Sequence, residues 1–567
     1  MTLHRFVPRA RHRAIAALLA ATALAAPAFA QDAANGAAPR HGQVDGEKIL
    51  QLLVAKGVIS QADADGIVAQ ASVAPAAPAA PAVVAGGVDG DTQTIPYIPQ
   101  NVRDQIKTQV ENEMAARAQS EGWAKPGEVA EWTKRIKLSG DVRVRGEGDI
   151  FDKGNDPSIV NFNAINSGSP YDINPNTNAV PTPTLNTTKN RERPRIRARL
   201  GVDATLSDTI TAQVRVGTGN DTQPVSFNQT LGGGNGDFSK YAIWLDLANI
   251  QITPHGKLEG LKLVAGRAQS PFWTTELLFD VDLGFDGVSL SDKHDFGDRF
   301  SLFGTVGAFP TYNTDLNFSS RNIGAFKSHD RWLFAGQAGA SYNIGKSAKF
   351  TLAGGYFDFR HAQGQFSSPC LFNQDVCDTD NTRPLFQQYG NSVMPIRNII
   401  ADTTAKPGFS PEPQYFGLAS RFRVVDAHGQ LDLTGFSIPV RIEGDFIKNV
   451  AFDKASVQAI QTNVVGPYNP TGTGWFANLI VGNPKPAKFG EWNLFGGYKR
   501  IGTDATVDAF TDSDFHLGGT NAKGYIIGGA FGVGNGTSIG FRYLSADQIT
   551  GQSYGVDVLQ IDLNAKF

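Results

Sequence analysis

The sequence predicts an all-β transmembrane barrel of about 16 antiparallel strands, preceded by a small helical periplasmic region. Three observations predict it. From Ile136 onward the chain is written in short segments whose apolar and polar residues alternate with a period of two. The links between those segments alternate short and long. The last segment alternates to its final residue, with Phe567, Ala565, Leu563, Ile561 and Leu559 on one face and Lys566, Asn564, Asp562 and Gln560 on the other. A strand with lipid on one side and water on the other needs that period.

Export is read from residues 1–30 as a signal peptide. Arg5, Arg9, Arg11 and Arg13 form a basic start, Ala14 to Ala26 form a short apolar run, and Ala28-Phe29-Ala30 gives the small-x-small cleavage pattern before Gln31. That run is too short to anchor the chain as a membrane helix, and nothing after it approaches the ~20 apolar residues such a helix needs.

Residues 31–135 read as the helical periplasmic region. Glu47 to Lys56 places Ile49, Leu52 and Leu53 on one side, with Gly57 as C-cap. Ser60 and Asp63 approximate a capping box for a second short helix carrying Ile67 and Val68. A linker rich in Ala, Pro and Gly covers roughly 73–90 and is expected to be extended or disordered. A third helix over Gln100 to Gln119 carries the stripe Val102, Ile106, Val110 and Met114, expected to pack on the barrel rim rather than in an intersubunit coiled coil.

The barrel is assigned to 136–567. Its first strand sets Ile136, Leu138, Val142 and Val144 against Lys137, Ser139, Asp141, Arg143 and Arg145; its second sets Ile196, Ala198, Leu200, Val202, Ala204 and Leu206 against Arg195, Arg197, Arg199, Asp203 and Thr205. Ser207-Asp208 turns into a third, with Ile210, Ala212, Val214 and Val216 on its apolar face. The remaining strands are expected at 241–253, 261–268, 286–292, 299–308, 332–344, 348–359, 415–425, 439–449, 471–482, 489–501, 524–533, 536–547 and 554–567. Long links at 148–194, 220–240, 309–331, 360–414, 450–470 and 502–523 all fall on one side, as outer loops do in such barrels.

The segments EKILQLLVAKGVISQADAD, RIKLSGDVRVRGE, LKLVAGRAQSPFWTTELLFDVDLGFDGVSL, PVRIEGDFIKNVA, FTDSDFHLGGTNAKGY and TSIGFRYLSADQITG, with the closing YGVDVLQIDLNAKF, resemble the large putative porins of Gram-negative bacteria, particularly Alphaproteobacteria. The resemblance covers nearly the whole mature chain. It implies a 16-stranded-type barrel in the outer membrane, a homotrimer, and general solute selectivity; it supplies no binding residues.

Pore-lining candidates therefore come from strand facing alone. They are Arg143, Arg145, Arg195, Arg197, Arg199 and Arg215 near the start, and Arg441, Glu443, Asp445 and Arg542 later. The early arginines are expected to form a basic wall patch that favours anions, unless acidic neighbours such as Asp141, Glu147 and Asp203 neutralise it. Residues 269–285 are expected to fold inward as an eyelet with Glu276, Asp280 and Asp282 opposite those arginines; the long loop 360–414 is the other candidate. The aromatic residues of 269–285 suit packing inside the barrel and the membrane interface equally.

Cys370 and Cys377, the only 2 cysteines, fall in the long loop and are expected to form a local disulfide. Asp504, Asp508, Asp512 and Asp514 read as solvated loop carboxylates rather than a cation site. The terminal Phe567 resembles the signal read by the β-barrel assembly machinery.

Net charge is −3, so no strong electrostatic partner, nucleic acid included, is implied. No GxSxG, HExxH or phosphate-cradling loop appears, so neither enzyme, metal nor cofactor is expected. The expected function is a water-filled channel for small hydrophilic solutes or ions, leaning to anions. The alternative is a structural or adhesive barrel tethering envelope layers through its helical N-terminal region. A gated, plugged transporter needs about twenty-two strands.

Overall fold

Alternation of apolar and polar residues gives a strand two chemically different faces, and the ladder closes only where every edge finds a partner. The computed structural model describes residues 107–110, 112–113, 131–234, 236–314, 328–462 and 468–567. Within them sixteen strands form one closed antiparallel ring. They are β1 (Ile136–Phe151), β2 (Arg191–Thr205), β3 (Ile210–Gly217), β4 (Trp244–Ile252), β5 (Leu261–Gln269), β6 (Gly284–Phe296), β7 (Phe300–Tyr312) and β8 (Arg331–Ile344). The ring continues with β9 (Ala348–Arg360), β10 (Phe422–Leu433), β11 (Val440–Asn449), β12 (Thr473–Gly482), β13 (Trp492–Ile501), β14 (Ala522–Gly534), β15 (Thr537–Gln548) and β16 (Gly555–Lys566).

Closure lies at β1. It pairs with β2 from Ile136↔Ala204 to Asp149↔Arg191, and with β16 from Asp141↔Lys566 to Phe151↔Val556. Beyond the ladder, Gly140 and Phe567 exchange two backbone hydrogen bonds of 3.0 Å. No free edge remains in the ring, which is what an apolar medium requires of backbone N–H and C=O groups.

Facing follows the alternation. Leu138, Val142, Val144, Leu200, Val214, Ile442, Phe446, Ile539, Phe541, Ile561 and Leu563 are all exposed on the outside of the ring. An apolar surface running round a protein is a lipid-facing belt, not a solvated one. Residues of the opposite register are buried and mostly polar, among them Arg145, Glu147, Asn249, Thr305, Gln337, Ser341 and Thr351. No described helix is long and apolar enough to cross a membrane.

Short turns at 206–209, 253–260, 297–299, 345–347, 434–439, 483–491 and 535–536 alternate with eight outer loops. These are loop 1 (152–190), loop 2 (218–243), loop 3 (270–283), loop 4 (313–330), loop 5 (361–421), loop 6 (450–472), loop 7 (502–521) and loop 8 (549–554). Loop 1 contains the short helix α1 (Phe162–Ser167), and loop 6 contains α2 (Lys454–Ile460), capped by the Asp453 carboxylate.

Two sequence expectations need correction. The strand expected at 415–425 is β10, at Phe422–Leu433. Residues Phe416–Leu418 instead form a short strand inside loop 5, paired with Val393–Pro395. They alternate poorly because all three are buried. The segment expected at 286–292 is a full strand of 13 residues. Its end at the short turn 297–299 carries Asp292, His294 and Phe296, whose mixed chemistry hides the period.

Residues 107–110 and 112–113 are helical, within the helix expected over 100–119. The signal peptide, the two earlier helices and the linker lie outside the described residues.

Candidate functional site

The inside of the ring is built from three adjacent strands and two loops. β1 and β2 pair so that Arg143 faces Arg197 and Arg145 faces Arg195. Like charges placed directly opposite destabilise a sheet, so this wall requires acids. They come from the same strands, from β4 and β16, and from loops far away in sequence. Arg197 and Arg199 share Asp141 at 2.9 and 2.7 Å, and both reach Asp282 of loop 3 at 3.5 and 3.2 Å. Arg195 pairs with Glu147 at 3.0 Å; Arg193 lies 2.5 Å from Glu147 and 3.0 Å from Asp149. Arg145 binds Asp562 of β16 at 2.7 Å and Asp514 of loop 7 at 3.1 Å. Arg215 pairs with Asp246 of β4.

The patch thus holds seven arginines, and six of them have a carboxylate partner. Arg143 has none among the described residues; its Nη2 donates to the side-chain carbonyl of Asn228 in loop 2 at 2.5 Å.

Loop 3 crosses the interior. Its Phe272 packs edge-on against Phe309 and Phe357, 6.0 and 5.1 Å between ring centroids, and so seats the loop's start on the β7–β9 wall. The aromatic residues of 269–285 therefore include a buried anchor inside the barrel. Trp273 stacks on His428 of β10 at 3.8 Å, and its backbone exchanges two 2.8 Å hydrogen bonds with the Gln337 amide. The Thr275 hydroxyl donates to Asp445 of β11 at 2.5 Å. Glu276 then meets Arg542 of β15 at 3.2 Å, and its backbone carbonyl accepts from Lys499 of β13 at 3.0 Å. Asp282 completes the crossing at Arg197 and Arg199.

Loop 7 folds in to meet it. The backbone N–H of Ser513 donates to Asp280 at 3.0 Å, while Asp514 binds Arg145 and Arg542 at 3.1 and 3.2 Å. Burial, with Asp512 and Asp282 close by, pushes the Asp280 carboxyl well above the usual carboxylate range. Burial acts the same way on Asp514, but the guanidinium groups of Arg145 and Arg542 outweigh it and hold that carboxyl well below the range.

The four loop-7 aspartates are not solvated. Asp504, Asp508 and Asp512 are buried, and Asp512 lies 3.4 Å from the Lys499 ammonium. Asp504 accepts from the backbone N–H of Ser392 at 3.0 Å and from its hydroxyl at 2.5 Å. These acids fasten loops to each other and to the wall. Among the described residues no His, Cys, Asp or Glu cluster could hold a metal ion.

Of the remaining candidates, Arg441 pairs with Asp432 at 2.6 Å and Glu443 lies 3.3 Å from His428, both on the inner side of β10 and β11. Loop 5 packs against loop 7. Its Cys370 and Cys377 are bonded, with Cα atoms 5.9 Å apart, and its Asn391 amide donates to the carbonyls of Thr503 and Thr506 in loop 7. Phe567 ends the ladder, its ring lying over Gly140.

Sequence reasoning missed Arg193, Thr275, His428 and Lys499. Arg193 precedes Pro194, which masks the strand start; the others act through partners more than 150 positions away in the chain, beyond any local pattern.

Similar folds are found among solved outer-membrane proteins. The channel DcaP of Acinetobacter baumannii is 10% identical, with a TM-score of 0.34, covering 76% of this chain and 97% of that one. OprB of Pseudomonas putida is 11% identical, with a TM-score of 0.40, covering 77% and 95%. OmpF of Salmonella typhi, in complex with daunomycin, is 9% identical, with a TM-score of 0.34, covering 76% and 97%. No curated protein matches the sequence. The family model described as "Putative porin" matches residues 45–567. A closed ring of sixteen strands with a lipid belt outside and charge inside fits that match: the chain belongs to the putative porin family and is a barrel of the outer membrane.

Proposed function

We propose that this barrel is a passive channel for small hydrophilic solutes and ions, constricted by loop 3. One observation carries the reading. Loop 3 is tied by Thr275 to Asp445 on β11 and by Asp282 to Arg197 and Arg199 on β2, strands that lie almost opposite each other in the ring. A loop stretched between opposite walls narrows a lumen without being its floor. Charged groups fixed on both sides then orient passing solutes and set which ion is preferred.

Selectivity in this reading is weak. Paired arginines and carboxylates produce a field across the lumen rather than a net potential, and a modest anion lean comes from Arg143, which lacks an acidic partner. The wall residues Arg441, Glu443 and Arg542 and the eyelet acids Glu276, Asp280 and Asp282 line the path. The barrel works as a homotrimer, with residues 31–135 on the periplasmic side after removal of residues 1–30, and Phe567 serves as the assembly signal.

The test is single-channel recording of the refolded protein in a planar bilayer, with reversal potential measured across a KCl gradient. Discrete conductance steps with a small anion preference are expected. Folded protein that inserts and gives no steps overturns the reading.

A further inference from the structure

A cavity of about 240 Å³ lies in the outer mouth, between the β6–β9 wall and loops 3, 5 and 7, away from the arginine and carboxylate cluster. Six phenyl rings line it: Phe279, Phe285, Phe309, Phe359, Phe386 and Phe510. Phe359 stacks on Phe510 at 5.9 Å and tilts against Phe279 at 6.4 Å, so the walls are held by one another. An apolar cavity of about 150 Å³ takes up benzene. This one has room for a single ring and a substituent.

The substituent's chemistry follows from Arg331, at the outer end of β8. Its guanidinium sits 4.6 Å from the centre of the Tyr312 ring, and Nη1 donates to the carbonyl of Arg383 at 3.3 Å. No carboxylate of the described residues pairs with it. Asp286, the one acid in the lining, is held by Arg267 at 2.8 Å. A guanidinium is always charged and carries five N–H donors, so most of its hydrogen-bonding capacity remains for a ligand. A planar carboxylate matches that fork better than any neutral group. A sugar would press its hydroxyls against phenyl faces at a desolvation cost, and a small inorganic anion would leave the rings unused.

We propose that this cavity is a solute-binding site for a monocyclic aromatic carboxylate, with the ring among the six phenylalanines and the carboxylate on Arg331. The proposal deepens the channel reading and rests on it: solute is gathered at the outer mouth before it passes loop 3.

Isothermal titration of the folded protein in detergent, with benzoate, benzyl alcohol and acetate as probes, tests it. Benzoate is expected to bind, with the other two at least about tenfold weaker because each lacks one half of the recognition. Arg331→Gln is expected to weaken benzoate by about tenfold or more, and Arg331→Lys by less. Ala362→Phe, which fills the cavity from loop 5 and leaves Arg331 in place, is expected to abolish binding. Equal benzoate affinity across wild type, Arg331→Gln and Ala362→Phe overturns the site, as does absence of benzoate binding to folded wild-type protein. Benzoate binding by a protein that gives no conductance steps overturns the channel reading alone.

Discussion

The Arg145 guanidinium lies 3.1 Å from the Asp514 carboxylate, so the first strand of the ring holds a loop that follows it by 369 positions. The same guanidinium binds Asp562 at 2.7 Å, and its side chain is only 1% exposed. Removing one partner of a buried pair leaves the other charge uncompensated, at about 3–5 kcal/mol. Arg145→Gln is therefore expected to free loop 7. Amide exchange in 510–517 should accelerate by on the order of 100-fold, while β-sheet content is unchanged. Unchanged exchange there would show that Asp514 is held by Arg542 alone.

Asp282 is shared by Arg197 and Arg199 at 3.5 and 3.2 Å. Asp282→Asn removes one negative charge from loop 3, the constriction in the proposed channel, and leaves both arginines. At about 10 Å through water a unit charge contributes about 0.4 kcal/mol to each ion, with opposite sign for the two, so chloride permeability relative to potassium should rise roughly fourfold. Arg199→Glu should move the reversal potential the opposite way. A potential indifferent to both substitutions would place these residues outside the ion path.

Loops 5 and 7 meet through acids that burial has altered. Burial pushes Asp508 up to about 7 and Asp504 up to about 6, from an ordinary value of 3.8. A raised carboxyl binds protons more tightly in the folded loop, so its contribution is full below about 4 and is lost as pH rises through 6 to 7. Burial lowers His516 of loop 7 to about 4, and that group acts in the opposite sense between 6.5 and 4. Two acids against one imidazole leave a net tightening of the loop contact as the medium is acidified from pH 8. Limited proteolysis of loops 5 and 7 should be slower at pH 5 than at pH 8. Asp508→Asn should remove the part of that difference that develops near pH 7. Equal cleavage at both pH values in the wild type would refute this account.

The seam of the ring tolerates little bulk. A β-carbon at Gly140 would stand 2.5 Å from the Phe567 ring and 2.7 Å from the Arg199 carbonyl oxygen. Gly140→Val should cost about 1–3 kcal/mol of overpacking strain and lower the temperature at which the folded band is lost on gels. Adding Phe567→Leu should recover part of the loss, since the ring contact is relieved and the backbone contact is not. A Gly140→Val barrel as heat-resistant as the wild type would mean the seam shifts register freely.

Strands were legible wherever one face is uniformly apolar. Leu138, Val142 and Val144 against Asp141, Arg143 and Arg145 leave no second reading, and β1 begins at the expected Ile136. β10 was misplaced because its outer face, Val425, Ala427 and Gly429, is small and weakly apolar, while Tyr415 and Phe416 upstream look strand-like but form part of the buried core of loop 5. The inward path of loop 3 was suggested by its acids and left open for aromatics such as Trp273, yet the anchor at Thr275 and the partners of both residues were not legible. Their partners, Asp445 and His428, sit 170 and 155 positions away, and no periodicity carries information over that distance. Loop 7 was taken as wet because a run of aspartates looks solvated until the cations that bury it are known.

Ring closure between β1 and β16 has a consequence for the journey before insertion. Until the final strand arrives, β1 is an open margin studded with Arg143 and Arg145, while Asp562, one of the acids that quiets them, is still missing. Charged side chains along an open margin disfavour edge-to-edge pairing of half-built sheets. The charge that lines the finished wall thus first helps keep unfinished copies apart.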